Sequence, residues 1–194
     1  MRVKILKESG YEEALLGLSL SFYDHAEVLE DWWNPEKIVK AQKRLQALSY
    51  KGGGHDKAVE SIGLHIYIQA SRDFWSEFDT YRVGMTKNSS STMHTLSKRY
   101  VNKTDFEVGT SNISIWSFNY KLWQFKNKKI DISELKKNLP EGWLQERVVM
   151  TNYKTVQNIL AQRSNHKLIQ WRDFCSDVLA QAEHPELLNK KGKS

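Results

Sequence analysis

The chain is poor in cysteine and proline, with one and three among its 194 residues. A lone cysteine excludes an internal disulfide and any zinc site built from several thiolates. No apolar run approaches the ~20 residues that a membrane-spanning helix needs. Met1–Lys7 carries no signal-peptide pattern, so the sequence reads as a cytosolic protein. The six histidines fall in no metal-ligand pattern of the His-Glu-x-x-His kind, and no metal is expected. Phosphate loops are missing as well. The run "KGGGHD" (51–56) lacks the Rossmann spacing and precedes a strand, and there is no Walker loop.

What is present is positive charge. The net charge is +6 and the pI about 9.2, which favours anionic partners such as nucleic acid, nucleotides or phosphorylated cofactors. The densest runs are Lys121–Lys129 and the tail "NKKGKS". One domain over 1–185 is expected, followed by a frayed basic tail at 186–194. Seven tryptophans and eight tyrosines can fill a core or stack on bases.

Periodicity assigns the elements. "RVKIL" alternates as a first strand, and "EEALLGLSLSF" has helical spacing. "NPEKIVKAQKRLQAL" is a helix capped by Asn34 with Pro35 in its first turn. "SIGLHIYIQA" alternates Leu64, Ile66, Ile68 and Ala70 as a half-buried strand. Ser71 caps a helix through "RDFWSEFDTYR". Residues 83–95 read as a hydroxyl-rich loop, and "SNISIWSFNY" reads as a strand. A short helix at "ISELKKN" and helices near 152–163 and 167–182 complete an α+β chain.

Arg163 stands out. On a helix capped by Asn152, Val156 lies near ~40°, Ile159 near ~340°, Leu160 near ~80° and Arg163 near ~20°. An arginine in an apolar stripe either snorkels to water from the helix end or is held inward to grip an anionic or carbonyl-rich group. Asn152, Lys154 and Asn158 add donors along the same helix. His55 follows three glycines that let backbone approach a ligand. Arg82, Lys87, Asn88, Ser89, Ser90, Ser91, Thr92 and His94 offer donors for a phosphate. Cys175 sits on the apolar side of its helix as core filler.

Three segments together resemble the flavin-dependent thymidylate synthases, in a divergent form of the kind phages carry. "GGHDKAVES", with Glu60, ahead of "IGLHIYIQA" is similar to the family's Gly-His start and long strand. "TYR" (80–82) falls on its Arg-His-Arg signature, with Thr80 and Tyr81 in place of the first Arg and the His. "LP" (139–140) and "TNYKTVQNILAQR" resemble its Leu-Pro and its Asn-x-Arg-x-x-x-Asn-x-x-x-x-Arg helix, Lys154 standing for the first arginine. The serine of the signature is Ser90 without a gap, or Thr92 with a two-residue insertion that also puts His94 at the last Arg.

The resemblance implies an α+β fold with a mixed or antiparallel sheet and packed helices, a homotetramer, and FAD bound between subunits. It implies flavin-dependent transfer of a one-carbon group to a pyrimidine deoxynucleotide (dUMP, dCMP or a relative). Methylenetetrahydrofolate and NADPH are the implied co-substrates. His55, Arg82, Asn152, Lys154 and Asn158 would contact FAD or support its site. Arg163 would hold the pyrimidine and stabilise charge on it, while Ser90, Thr92, His94 and Lys136 would serve the nucleotide. Two other readings fit the sequence: a non-catalytic relative of the same fold, and a basic nucleic-acid-binding module.

Overall fold

A computed structural model describes residues 1–22 and 34–189, apart from the side chains of Met93 and His94. The chain begins with β1 (Arg2–Ser9), α1 (Tyr11–Ser19) and a 3-10 turn at Leu20–Phe22. Then follow α2 (Pro35–Leu48), α3 (Lys57–Glu60), β2 (Gly63–Ser71) and α4 (Arg72–Phe78). Next come β3 (Thr86–Ser89), α5 (Thr92–Thr95), a 3-10 turn at Lys103–Asp105, α6 (Asn112–Lys126) and α7 (Ile132–Lys137). The last elements are β4 (Leu144–Asn152), α8 (Tyr153–Arg163), α9 (Ile169–Gln181) and α10 (Pro185–Leu188).

The strands form one sheet in the order β1-β2-β4-β3. It is antiparallel: Gly63 lies beside Thr151, and Gln69 donates to Glu146 at 3.0 Å. On β2 the residues Leu64, Ile66, Ile68 and Ala70 are all buried, and Gly63, His65, Tyr67 and Gln69 between them are half-buried, so the alternation sets which face meets the core.

The described residues fall into two compact units. One holds 1–3, 67–82 and 87–148; the other holds 4–66, 83–86 and the chain from 149 onward. In the first, Leu96, Val101, Phe106, Ile115, Phe118, Leu122, Leu135 and Leu139 form a hydrophobic cluster. Burying each of the larger of these side chains is worth roughly 1.5–3 kcal/mol. Arg72 fixes the Leu139–Glu141 turn here, donating from Nη1 to the Leu139 carbonyl at 2.5 Å and pairing with Glu141 at 3.4 Å. In the second unit α8 packs on α3, α9 and α10, and α1 packs on α2. Asn34 caps α2 by accepting from the Glu36 N–H at 3.0 Å, with Pro35 opening the helix.

Three sequence readings are corrected. Residues 111–120 are helical, not a strand: Ser111 caps α6, and Ile115, Phe118 and Leu122 recur at helical spacing on its buried side. The stretch 83–95 is not all loop, since β3 and α5 lie within it. The folded chain also passes 185, because Leu187 and Leu188 of α10 are each 1% exposed. The rest of the expected tail, 190–194, lies outside the described residues.

Candidate functional site

The N-terminus of α8 gathers segments that are far apart in sequence. Asn152 is extended and its side chain accepts from the Thr155 N–H at 2.9 Å, which starts the helix. Lys154, in the first turn, donates to Asp56 at 3.1 Å and lies 3.6 Å from Glu60. That ion pair ties α8 to the loop carrying His55. The Lys154 ammonium is held above its ordinary pKa, chiefly by its hydrogen bond to Asp56. Thr155 Oγ1 donates to the Val83 carbonyl at 3.3 Å, which ties α8 to the turn after Arg82. Gly84 completes this turn at φ +67°, and a Cβ there would sit 2.6 Å from Thr155 Oγ1 and 2.9 Å from Asn152 Nδ2. Only glycine fits both the backbone and the space.

His55 is exposed on a loop that begins with Gly52, Gly53 and Gly54, at φ +64°, +58° and +87°. Three left-handed residues in succession make a turn that side chains disfavour. A Cβ on Gly52 would meet nothing within 4 Å, so the loop's outer side is open to a ligand. Asn158 is exposed two turns along α8. Arg163 ends that helix half-buried. Its guanidinium lies 4.6 Å over the Trp171 ring, and Nη1 is 2.8 Å from His166 Nε2. It is therefore held at a defined place by stacking and a hydrogen bond.

The other sequence-derived residues lie in the first unit. Ser90 and Thr92 both line a cavity of about 530 Å³. Sequence reasoning missed most of its walls: Gln69, Thr95, Lys98, Arg99, Trp143 and Glu146 among them. One signal was available. Gln69 is a polar residue at an alternate position of a strand whose other face is apolar. Arg99 grips Asp105 through two bonds, of 2.7 and 2.5 Å. Burial would raise the Asp105 carboxyl, but the Arg99 hydrogen bond and others hold it below its ordinary value. The side chain of His94 lies outside the described residues. Arg82 is exposed just past α4, and Lys136 is exposed in the last turn of α7.

One further reading changes. Lys87, grouped with the phosphate donors by sequence, instead caps the end of α4. Its ammonium donates to the Phe78 and Tyr81 carbonyls and to Asp79, at 3.3, 3.0 and 3.0 Å. Thr80 turns its hydroxyl back to the Glu77 carbonyl at 2.7 Å, closing the same helix. Cys175 is buried, as its apolar position predicts, and burial pushes its thiol up to about 11, which favours the protonated form at neutral pH.

The antiparallel four-stranded sheet and its helices have the fold of solved flavin-dependent thymidylate synthases. Two solved structures carry the comparison, both of ThyX from Helicobacter pylori with FAD and dUMP. One shares 17% identity and superposes at a TM-score of 0.77, covering 97% of this chain and 98% of its own. The second shares 16% at the same TM-score, covering 98% of each chain. At such identities the likeness shows the fold. No protein-family model matches the chain, and no curated protein matches it in sequence.

Proposed function

We propose that the protein transfers a one-carbon group from a folate to a pyrimidine deoxynucleotide by flavin-dependent chemistry. The observation that supports this best is the convergence on α8. The Gly-His loop, the turn after Arg82 and the Asn152–Arg163 helix meet through Lys154–Asp56 and Thr155–Val83, within a fold whose solved examples bind FAD and dUMP. The residues fit FAD. An open glycine loop admits backbone close to a ligand, and His55, Asn158 and the Asn152 amide supply polar contacts beside it. Arg82 and Lys154 supply positive charge, although Lys154 shares its charge with two carboxylates.

When bound, FAD supplies the redox chemistry, with NADPH as reductant and methylenetetrahydrofolate as carbon donor. The chain's own residues bind and orient. Ser90, Thr92 and His94 hold the nucleotide phosphate, with Lys98 in the same cavity wall as Ser90 and Thr92. Lys136 adds a second cation for the nucleotide. Arg163 holds the pyrimidine carbonyls with a planar fork and stabilises negative charge that develops on them.

The test is direct. The purified chain is mixed with FAD, freed of excess and examined for the visible bands of oxidised flavin; the released molecule is then identified by mass. FAD should be retained. Calorimetry that detects no FAD binding at micromolar protein would sink the proposal. A non-catalytic relative is the second reading, motivated by Thr80 at a signature position bonded back into its own helix. That relative would bind FAD, yet its flavin, once reduced by NADPH, would not be reoxidised by folate and nucleotide.

A further inference from the structure

Helix α6 carries an exposed aromatic row that the flavin reading does not use. One side of the helix is fixed. Ile115, Phe118 and Leu122 are buried, and the Asn119 side chain accepts from the Val101 N–H and donates to its carbonyl, each at 2.9 Å. The opposite stripe holds Trp116, Tyr120 and Trp123, which are 72%, 50% and 40% exposed. Their rings are nearly parallel. Trp116 and Tyr120 lie 6.4 Å apart at 13°, and Tyr120 and Trp123 lie 5.8 Å apart at 17°. Exposed apolar surface of this kind is retained at a cost in hydration and marks a binding face.

Positive charge gathers at one end of the row. Residues 113–131 contain four lysines and one aspartate. Lys121 pairs with Glu134 at 3.1 Å. The other three, Lys126, Lys128 and Lys129, line a shallow depression just past the helix. The Lys129 ammonium lies 4.4 Å over the Trp123 ring, so the cations and the rings form one continuous surface.

We propose that this face binds single-stranded nucleic acid. Bases stack on Trp116, Tyr120 and Trp123, and the backbone phosphates meet Lys126, Lys128 and Lys129. Flat rings beside cations that track a phosphate chain are the chemistry of sequence-tolerant single-strand binding. The row spans ~10 Å of helix, the reach of about three nucleotides at ~3.4 Å each. Duplex DNA hides its base faces and does not satisfy the rings. A second copy of the chain would bring like charges together.

The experiment titrates the full chain into labelled oligo-thymidylate and oligo-uridylate of roughly 20 nucleotides, longer than one site, and reads fluorescence anisotropy at low salt. The two strands distinguish DNA from RNA as the ligand. Binding should fall with salt, and the double variant Lys126→Gln/Lys129→Gln should reduce the log–log slope by about 1.4. Trp116→Ala/Trp123→Ala should weaken binding about 10-fold or more, while Trp116→Phe/Trp123→Phe should keep most of it. FAD binding should be unchanged in every variant, which separates this test from that of the flavin reading. Four results overturn the proposal: no binding of either strand, equal binding by the alanine double variant, equal affinity for duplex, or a change in oligomeric mass in the alanine double variant.

Discussion

The Arg163 guanidinium lies over the Trp171 ring, with His166 at its Nη1. Stacking fixes the plane of the guanidinium, and a planar fork matches the geometry of pyrimidine carbonyls. Arg163→Ala should keep the fold and most FAD affinity while costing the nucleotide about 2–4 kcal/mol, or roughly 30- to 1000-fold in affinity. Arg163→Lys should fail nearly as badly, because an ammonium can neither stack flat on Trp171 nor present a fork. Titrating bound flavin with nucleotide in both variants decides this; a lysine variant that binds like the parent refutes the role. The unusual position of this arginine was visible on a helical wheel, because the wheel needs only local periodicity. The Arg99–Asp105 pair and the cavity beside it were not, since their meaning depends on strands distant in sequence.

At the scale of elements, β2, α2 and α8 were legible from alternation, capping residues and helical spacing. Two segments were not. In 111–120 the exposed stripe is itself aromatic, so apolar residues lie on both sides of the helix and the 3.6-residue period is blurred into apparent alternation. In β4 most residues are half-buried, and "LQERVVMTN" mixes charged and apolar positions without a clean period. The turn at Gly84 shows how an element start depends on a remote loop. Gly84→Ala places a Cβ against Thr155 and Asn152, the residues that cap α8, and does so at φ +67°. The backbone term alone costs roughly 1–2 kcal/mol, and displacing the cap adds about 1 more. For a chain of this size each kcal/mol lowers Tm by ~2–4 °C. A thermal melt should therefore drop by roughly 4–12 °C, with FAD affinity falling as well. A melt equal to the parent's would show that the turn yields freely.

For the whole molecule, the second unit leaves large apolar side chains exposed. Leu6, Val83, Met150, Leu168 and Ile169 are 51%, 84%, 54%, 41% and 61% exposed. Scattered singly such residues are ordinary, yet Leu168 and Ile169 adjoin at the start of α9, and Leu6 and Met150 lie on strands of one sheet. Apolar positions of this kind form the cores of contacts between chains, ringed by polar residues. We expect a homotetramer, with FAD held where chains meet. The particle mass should be four times the 22.7 kDa of the chain. Light scattering at working concentration reads it, and a monomer there would refute the assembly. We expect the assembly to be linked to cofactor binding. Met150→Glu or Ile169→Glu, by placing a charge in a desolvated contact, should split the particle into smaller species. Neither residue is among those placed at the FAD or nucleotide site, so FAD affinity should fall only in step with dissociation and recover when protein concentration rises. Full FAD affinity in a monomeric variant would show instead that one chain builds the whole site.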